Sequence, residues 1–227
     1  MTKAEELMER ANSCYAVGDY DGAINCFTQV IRLKPKSAGA YSNRGNAYRH
    51  KGAFDHALAD YNQALAIDPR FAKAWQNRGI VLFGQGDYRS AITAFERAIA
   101  LSPHASQAYH YRGRAWYMLG DPTAAIADYT RSINVNPDFP ANYSLRGLAH
   151  CACREFDLAI TDCRRAVEAN PRCAAAMVVL GESYEALGNL VDARHWYEHA
   201  LARRSELTDA ERQKAEAALK RLRPTPS

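Results

Sequence analysis

Five prolines, Pro35, Pro69, Pro103, Pro137 and Pro171, stand 34 residues apart with no insertion between any two. The dipeptide Arg-Gly keeps the same interval, at Arg44–Gly45, Arg78–Gly79, Arg112–Gly113 and Arg146–Gly147. A period held over most of a chain constrains its fold more than composition does. Each copy is one small structural unit, unable to bury its apolar surface alone, so copies must stack on neighbours. Units starting at Ala4, Ala38, Ala72, Ser106, Pro140 and Ala174 give six copies in one continuous array over 4–207. Their ranges are 4–37, 38–71, 72–105, 106–139, 140–173 and 174–207, and the last carries Ser205 where the proline is expected.

Two amphipathic stretches follow each other inside a unit. Counting positions from the start of each unit, the first stretch has apolar residues at positions 4 and 11, as in Tyr41 and Tyr48 or Trp75 and Leu82. That i, i+7 spacing lies on one helix face. Position 8 is small in every unit (Ala11, Gly45, Gly79, Gly113, Gly147, Gly181), and position 20 is always alanine. Small residues on facing helices permit close approach. Turns such as "GDYDGA" and "GDYRSA" lie between the stretches. Glycine suits the left-handed position after a helix, and Asp19 or Asp87 can cap the next one. Proline at position 32 ends the second helix. Unit five has Arg154–Glu155 in place of Gly–Asp. A left-handed arginine is costly, so an altered, looser turn is expected at 153–156.

Position 24 adds an aromatic residue in five units: Phe27, Tyr61, Phe95, Tyr129 and Tyr197. Repeat length, the first-helix pattern, alanine at 20, an aromatic at 24, a small residue at 27 and proline at 32 together resemble the tetratricopeptide repeat (TPR) family. The resemblance implies an all-α fold, a right-handed α-solenoid of six helix-turn-helix repeats whose first helices line a concave groove. It also implies a protein–protein interaction scaffold. After the sixth unit, "LTDAERQKAEAALKRLR" reads as a C-terminal capping helix over 208–223, with Ala215, Ala218, Leu219 and Leu222 as its apolar stripe. Residues 224–227 are expected to form a disordered tail.

Arginine at position 7 needs a partner if it is partly buried. Position 23 supplies Asp60, Asp128 and Asp162 in the units of Arg44, Arg112 and Arg146. An ion pair between helices is therefore expected. Arg78, whose unit has Ala94 there, is expected to reach Asp60 of the preceding unit.

Functional information must then lie at first-helix positions that packing does not use. In the family's geometry positions 2, 5, 6, 9, 12 and 13 face the groove. The expected peptide site in repeats one to four is Asn12, Asn43, Asn46, Arg49, Lys73, Gln76, Asn77, His110, Tyr111 and Arg114. Carboxamides can pair with both N–H and C=O of an extended peptide. The cations favour an acidic segment or a C-terminal carboxylate. Some co-chaperone members hold such a carboxylate with five residues. Asn12, Asn43 and Lys73 match that clamp, while Met8 and Asn77 replace its other lysine and its arginine. Unit five instead offers an apolar strip, Ala141, Leu145, Leu148 and Cys151, which suggests self-association as a structural assembly factor and a weak homodimer.

Other chemistry is weaker in the sequence. A net charge of +4 with basic residues scattered among acids does not suggest nucleic acid. No apolar run reaches membrane-spanning length and 1–10 do not read as a signal peptide, so a cytoplasmic protein without a membrane partner is expected. Six unevenly spaced cysteines fit free thiols in a reducing compartment. "HWYEH" at 195–199 matches a metalloprotease pattern, but the same positions are polar in other units, which indicates an outer face. No nucleophile–base grouping or phosphate loop stands out. The expectation is a non-enzyme without cofactor or metal.

Overall fold

A computed structural model describes residues 1–222, so the tail expected at 224–227 lies outside the described residues. Thirteen α-helices follow one another: α1 (Lys3–Ala16), α2 (Tyr20–Leu33), α3 (Ala38–His50), α4 (Phe54–Ile67), α5 (Ala72–Gly84), α6 (Tyr88–Leu101) and α7 (Ser106–Met118). Then come α8 (Pro122–Val135), α9 (Pro140–Ala152), α10 (Phe156–Ala169), α11 (Ala174–Ala186), α12 (Leu190–Leu201) and α13 (Asp209–Arg221), with a short 3-10 turn at Arg204–Glu206. The described residues contain no strand. None of these helices is long and apolar enough to cross a membrane. The chain forms two compact units, residues 1–115 and residues from 116 onward, dividing within α7.

Each helix packs on its predecessor in sequence: α1 through α6 do so in the first unit, and α8 through α13 in the second. The close contacts fall where the small residues recur. Ala23, Ala57, Ala91, Ala159 and Ala193 are all fully buried. A Cβ added at Gly79 would lie 2.6 Å from Phe95, and one at Gly181 would lie 2.7 Å from Tyr197. Position 8 is therefore glycine because the position-24 ring lies flat against the helix backbone. In the fifth unit Cys163 replaces the ring, and its Sγ would still be 2.5 Å from a Cβ at Gly147.

The turns inside helix pairs show the expected caps. Asp19 accepts from the Gly22 N–H at 2.9 Å, and Asp87 accepts from the Ser90 N–H at 3.1 Å. Gly86 adopts φ +82°. The turn at 153–156 corrects our expectation. Arg154 takes the same left-handed conformation, at φ +62°. The bonds of the turn persist: Arg154 N–H to Cys151 C=O at 3.0 Å and Glu155 N–H to His150 C=O at 2.9 Å match those of Gly86 and Asp87. Packing of α9 on α10 fixes where the turn must start and end, so the backbone accepts a strained residue instead of changing path. The cap is what is lost. Glu155 makes no cap bond to α10. Its carboxylate instead lies 2.6 Å from Nδ1 of the buried His150.

The arginines of position 7 bind three helices together. Arg44 of α3 donates through Nε and Nη2 to Asp60 of α4, at 2.8 and 2.7 Å, and through Nη1 to Thr28 of α2, at 3.0 Å. Arg146 of α9 repeats this with Asp162 of α10 and Thr130 of α8. Both aspartates are 5% exposed. These bonds to Asp60 raise the Arg44 pKa and outweigh burial. Arg78 is a second correction. Its Nε donates to Asn62 at 2.9 Å, not to Asp60. Asn62 occupies in its repeat the position that Thr28 occupies in the preceding one, two residues after the aspartate position, and Asp60 is already taken by both arms of Arg44.

The C-terminal helix closes the last pair. Thr208 and Glu211 form a reciprocal cap at its start. Ala215 and Ala218 are fully buried, with Leu219 and Leu222 beside them on α11 and α12. Lys214 and Arg221 reach Glu182 and Glu185 of α11 at 2.5 and 2.9 Å.

Candidate functional site

In the unit of residues 1–115, side chains of α1, α3, α5 and α7 form a polar wall. Several of its amides are bonded to one another. Asn43 Nδ2 donates to Asn12 Oδ1 at 3.5 Å, and Asn77 Nδ2 donates to Asn46 Oδ1 at 2.8 Å. The Tyr61 hydroxyl also donates to Asn46 Oδ1, at 2.7 Å, and Gln76 Nε2 donates to Gln107 Oε1 at 2.5 Å. Two of these pairs join position 9 of one first helix to position 6 of the next. The carboxamide ladder thus ties first helices to each other.

That ladder corrects part of the expected site. Gln76, Asn77 and His110 are buried, at 6, 4 and 7% exposure. Neighbouring helices lie too close for these positions to face out, and the amides satisfy each other there. Asn46 is half-buried and accepts two bonds. The wall's accessible groups are different. Asn12 and Lys73 are exposed, and Asn43, Arg49, Tyr111 and Arg114 are half-buried. Arg114 lies over the rings of Phe83 and Tyr111, at 4.7 and 5.4 Å from their centres. Phe83 and Tyr111 meet edge to face. Phe83, at position 12 of its unit, was among the groove-facing positions but not among the ten site residues. Its i, i+3 relation to Ile80 and its recurrence after Tyr15 and Arg49 mark it as part of the wall.

Charge is divided along the wall: the acids Glu5 and Glu9 are exposed on α1, and the cations stand on α3, α5 and α7. Asp60 is held by Arg44, Asp21 by Lys51, Asp19 and Asp87 by backbone caps, and Glu5 caps α1 beside Lys34. Arg49, Lys73 and Arg114 enter no ion pair among the described residues. Burial raises the Tyr15 and Tyr61 pKa values, and the Arg49 guanidinium opposes that rise.

The rings of His195 and His199 lie 4.2 Å apart on the exposed face of α12. No three His, Cys, Asp or Glu side chains gather as metal ligands would among the described residues. The Cys151 thiol is pushed up by burial and by Glu182, away from the lowered pKa that a redox-sensing thiol needs. The apolar strip of the fifth unit is largely covered. Leu148 and Cys151 pack against the second unit's main core, and Leu145 packs against Tyr129 and Ala149. Several large apolar residues that face out lie at or near helix ends, including Leu158, Leu187, Leu190 and Val191.

A family profile described as tetratricopeptide repeat matches residues 77–142 and 145–207, and a second, described as TPR repeat, matches 11–52 and 45–86. The chain belongs to the tetratricopeptide repeat family. Serine/threonine-protein phosphatase 5 of Homo sapiens is 42% identical to this TPR protein over 48 residues, 21% of the chain. The matched stretch spans a tenth of that enzyme's length. Among solved structures, YrrB, described as a TPR protein with an unusual peptide-binding site, superposes with a TM-score of 0.75 at 23% identity. That match covers 86% of this chain and 97% of YrrB. MamA superposes at 0.67 with 26% identity, covering 71% of this chain and 95% of its own. These likenesses concern the TPR fold, a protein-interaction scaffold.

Proposed function

We propose that this TPR protein is an interaction scaffold that holds an extended acidic peptide along the wall of α1, α3, α5 and α7. The observation that carries the reading is the wall's divided charge. Arg49, Lys73 and Arg114 on α3, α5 and α7 have no acid partner among the described residues, while Asp19, Asp21, Asp60 and Asp87 are committed elsewhere and the wall's own acids, Glu5 and Glu9, lie on α1. The amides Asn12 and Asn43 supply adjacent donors and acceptors for a peptide backbone. Lys73 of α5 is exposed. A peptide carboxylate meeting Arg or Lys would gain charge-assisted bonds that water-exposed neutral pairs lack.

A co-chaperone-like carboxylate clamp is the narrower version. Asn12, Asn43 and Lys73 suit it, but Met8 and the buried Asn77 leave two of its cationic places neutral. Self-association through the fifth unit is not favoured, because Leu148 and Cys151 already pack inward.

The test is capture of partners by the wild type and by an Asn43→Ala/Lys73→Ala double variant, with helicity of both checked by circular dichroism. Loss of one or more captured proteins from a folded double variant is expected. Identical partner lists would overturn the wall assignment.

A further inference from the structure

Arg49 of α3 differs from Arg44 and Arg78. Arg44 closes on Asp60 with two arms, and Arg78 has Asn62. Arg49 has no carboxylate in ion-pair range, and its Nε is buried without an acceptor. Its Nη2 lies 3.1 Å from His50 Nε2, and the neutral phenols of Tyr15 and Tyr61 are its other hydrogen-bond partners. That imidazole cannot serve as a counter-charge. Burial and Arg49 itself both favour its neutral form. Around the fork stand aromatic rings: Tyr20 stacks on His50 at 5.0 Å, and Tyr15 meets both edge-on at 5.6 and 5.5 Å. The result is a guanidinium in a partly dry aromatic corner, beside the bonded amide Asn46, with no acid of its own.

A half-buried charge without a counter-ion is costly, and an incoming anion relieves that cost more than it would in open water. We propose that Arg49 is a carboxylate receptor of the wall, taking the place of the clamp cations that Met8 and Asn77 lack. The planar fork suits a carboxylate, and the Tyr15 ring beside it suits the short apolar stem that carries one. This assignment rests on the reading of the wall as a peptide site. It adds a specific acceptor group and a specific place: one helical turn beyond Asn46, outside the positions that the clamp uses. The carboxylate can come from an acidic side chain or from a chain terminus.

The experiment follows the Arg Nε–Hε signals of the full chain by ¹⁵N NMR, with the Arg49 signal identified by its absence in Arg49→Lys. Three probes are titrated: N-acetylglutamate α-amide (side-chain carboxylate), N-acetylglycine (terminal carboxylate) and the neutral N-acetylglutamine amide. A saturable shift of Arg49 with a carboxylate probe is expected, with no shift from the neutral one and none at the committed Arg44. The carboxylate that saturates first identifies the source. In Arg49→Gln, the amide shifts of Tyr15 and Asn46 should need about tenfold more probe, equivalent to the loss of one charge-assisted bond. An Arg49 signal indifferent to both carboxylates overturns the proposal. If Asn43→Ala/Lys73→Ala loses partners while Arg49 stays indifferent, the wall stands and the receptor assignment falls. A responsive Arg49 with unchanged partner lists means the reverse.

Discussion

At the level of single residues, two positions show how backbone geometry sets side-chain choice. Gly79 lies under Phe95, and a Cβ there would be 2.6 Å from the ring. Gly79→Ala should destabilise the protein by about 1–3 kcal/mol through overpacking, read as a lower urea midpoint with unchanged m. In the first unit Ala11 fills the same position over Phe27, both buried. A helix pair of the same chain therefore tolerates a methyl at this position, so the cost at Gly79 is strain and not prohibition. Arg154 is the converse case. Its φ of +62° is the strained left-handed region. Arg154→Gly should stabilise by about 1 kcal/mol, and thermal melting would show the midpoint rising.

Between elements, the arginine–aspartate pairs do what no single helix can. Arg146 joins α8, α9 and α10 through Thr130 and Asp162. Its side chain is 20% exposed and that of Asp162 is 7%. Removing the acid would leave a mostly buried cation unpaired. Asp162→Ala should cost about 2–3 kcal/mol, below the value for a fully buried pair because water still reaches the arginine. Urea unfolding of that variant beside Asp162→Asn separates charge from shape, and the asparagine should recover only part of the loss. The carboxamide ladder is the second inter-helix device. It commits Asn46, Gln76 and Asn77 to neighbouring first helices, and so it decides which wall groups remain accessible.

Over the whole molecule, stability reflects successive helix contacts, and the last helix has a defined share. Ending the chain at Ala202 would uncover the apolar surface met by Ala215, Ala218, Leu219 and Leu222. It would also strip Glu182 and Glu185 of their cations. A loss of about 3 kcal/mol is expected from the apolar area alone, visible in the denaturant midpoint. Alkaline pH should act through buried phenols. Burial holds the Tyr61 and Tyr197 pKa values far above the ordinary one, and Glu185 reinforces the shift at Tyr197. In the unfolded chain they ionise near pH 10. Above that pH the unfolded state binds fewer protons than the folded one, so stability falls as pH rises. Each phenol adds up to about 1.4 kcal/mol per pH unit to that slope. Denaturant midpoints between about pH 9 and pH 11 should decline, and Tyr197→Phe should flatten the decline.

The sequence alone determined the helical units and their small-residue seams. A 34-residue period and a ring-over-glycine pattern leave one way for neighbouring helices to approach. It also located the Arg44–Asp60 and Arg146–Asp162 pairs, since both partners recur at fixed positions. Only the tertiary structure decided how side chains of equal polarity divide between packing and the wall. Asn77 and Lys73 are both polar first-helix residues, yet one is bonded inside and the other stands in water. The difference depends on the distance to the next first helix, which no single repeat encodes. The turn at Arg154 likewise kept its path because packing on both sides outweighed a local preference of about 1–2 kcal/mol.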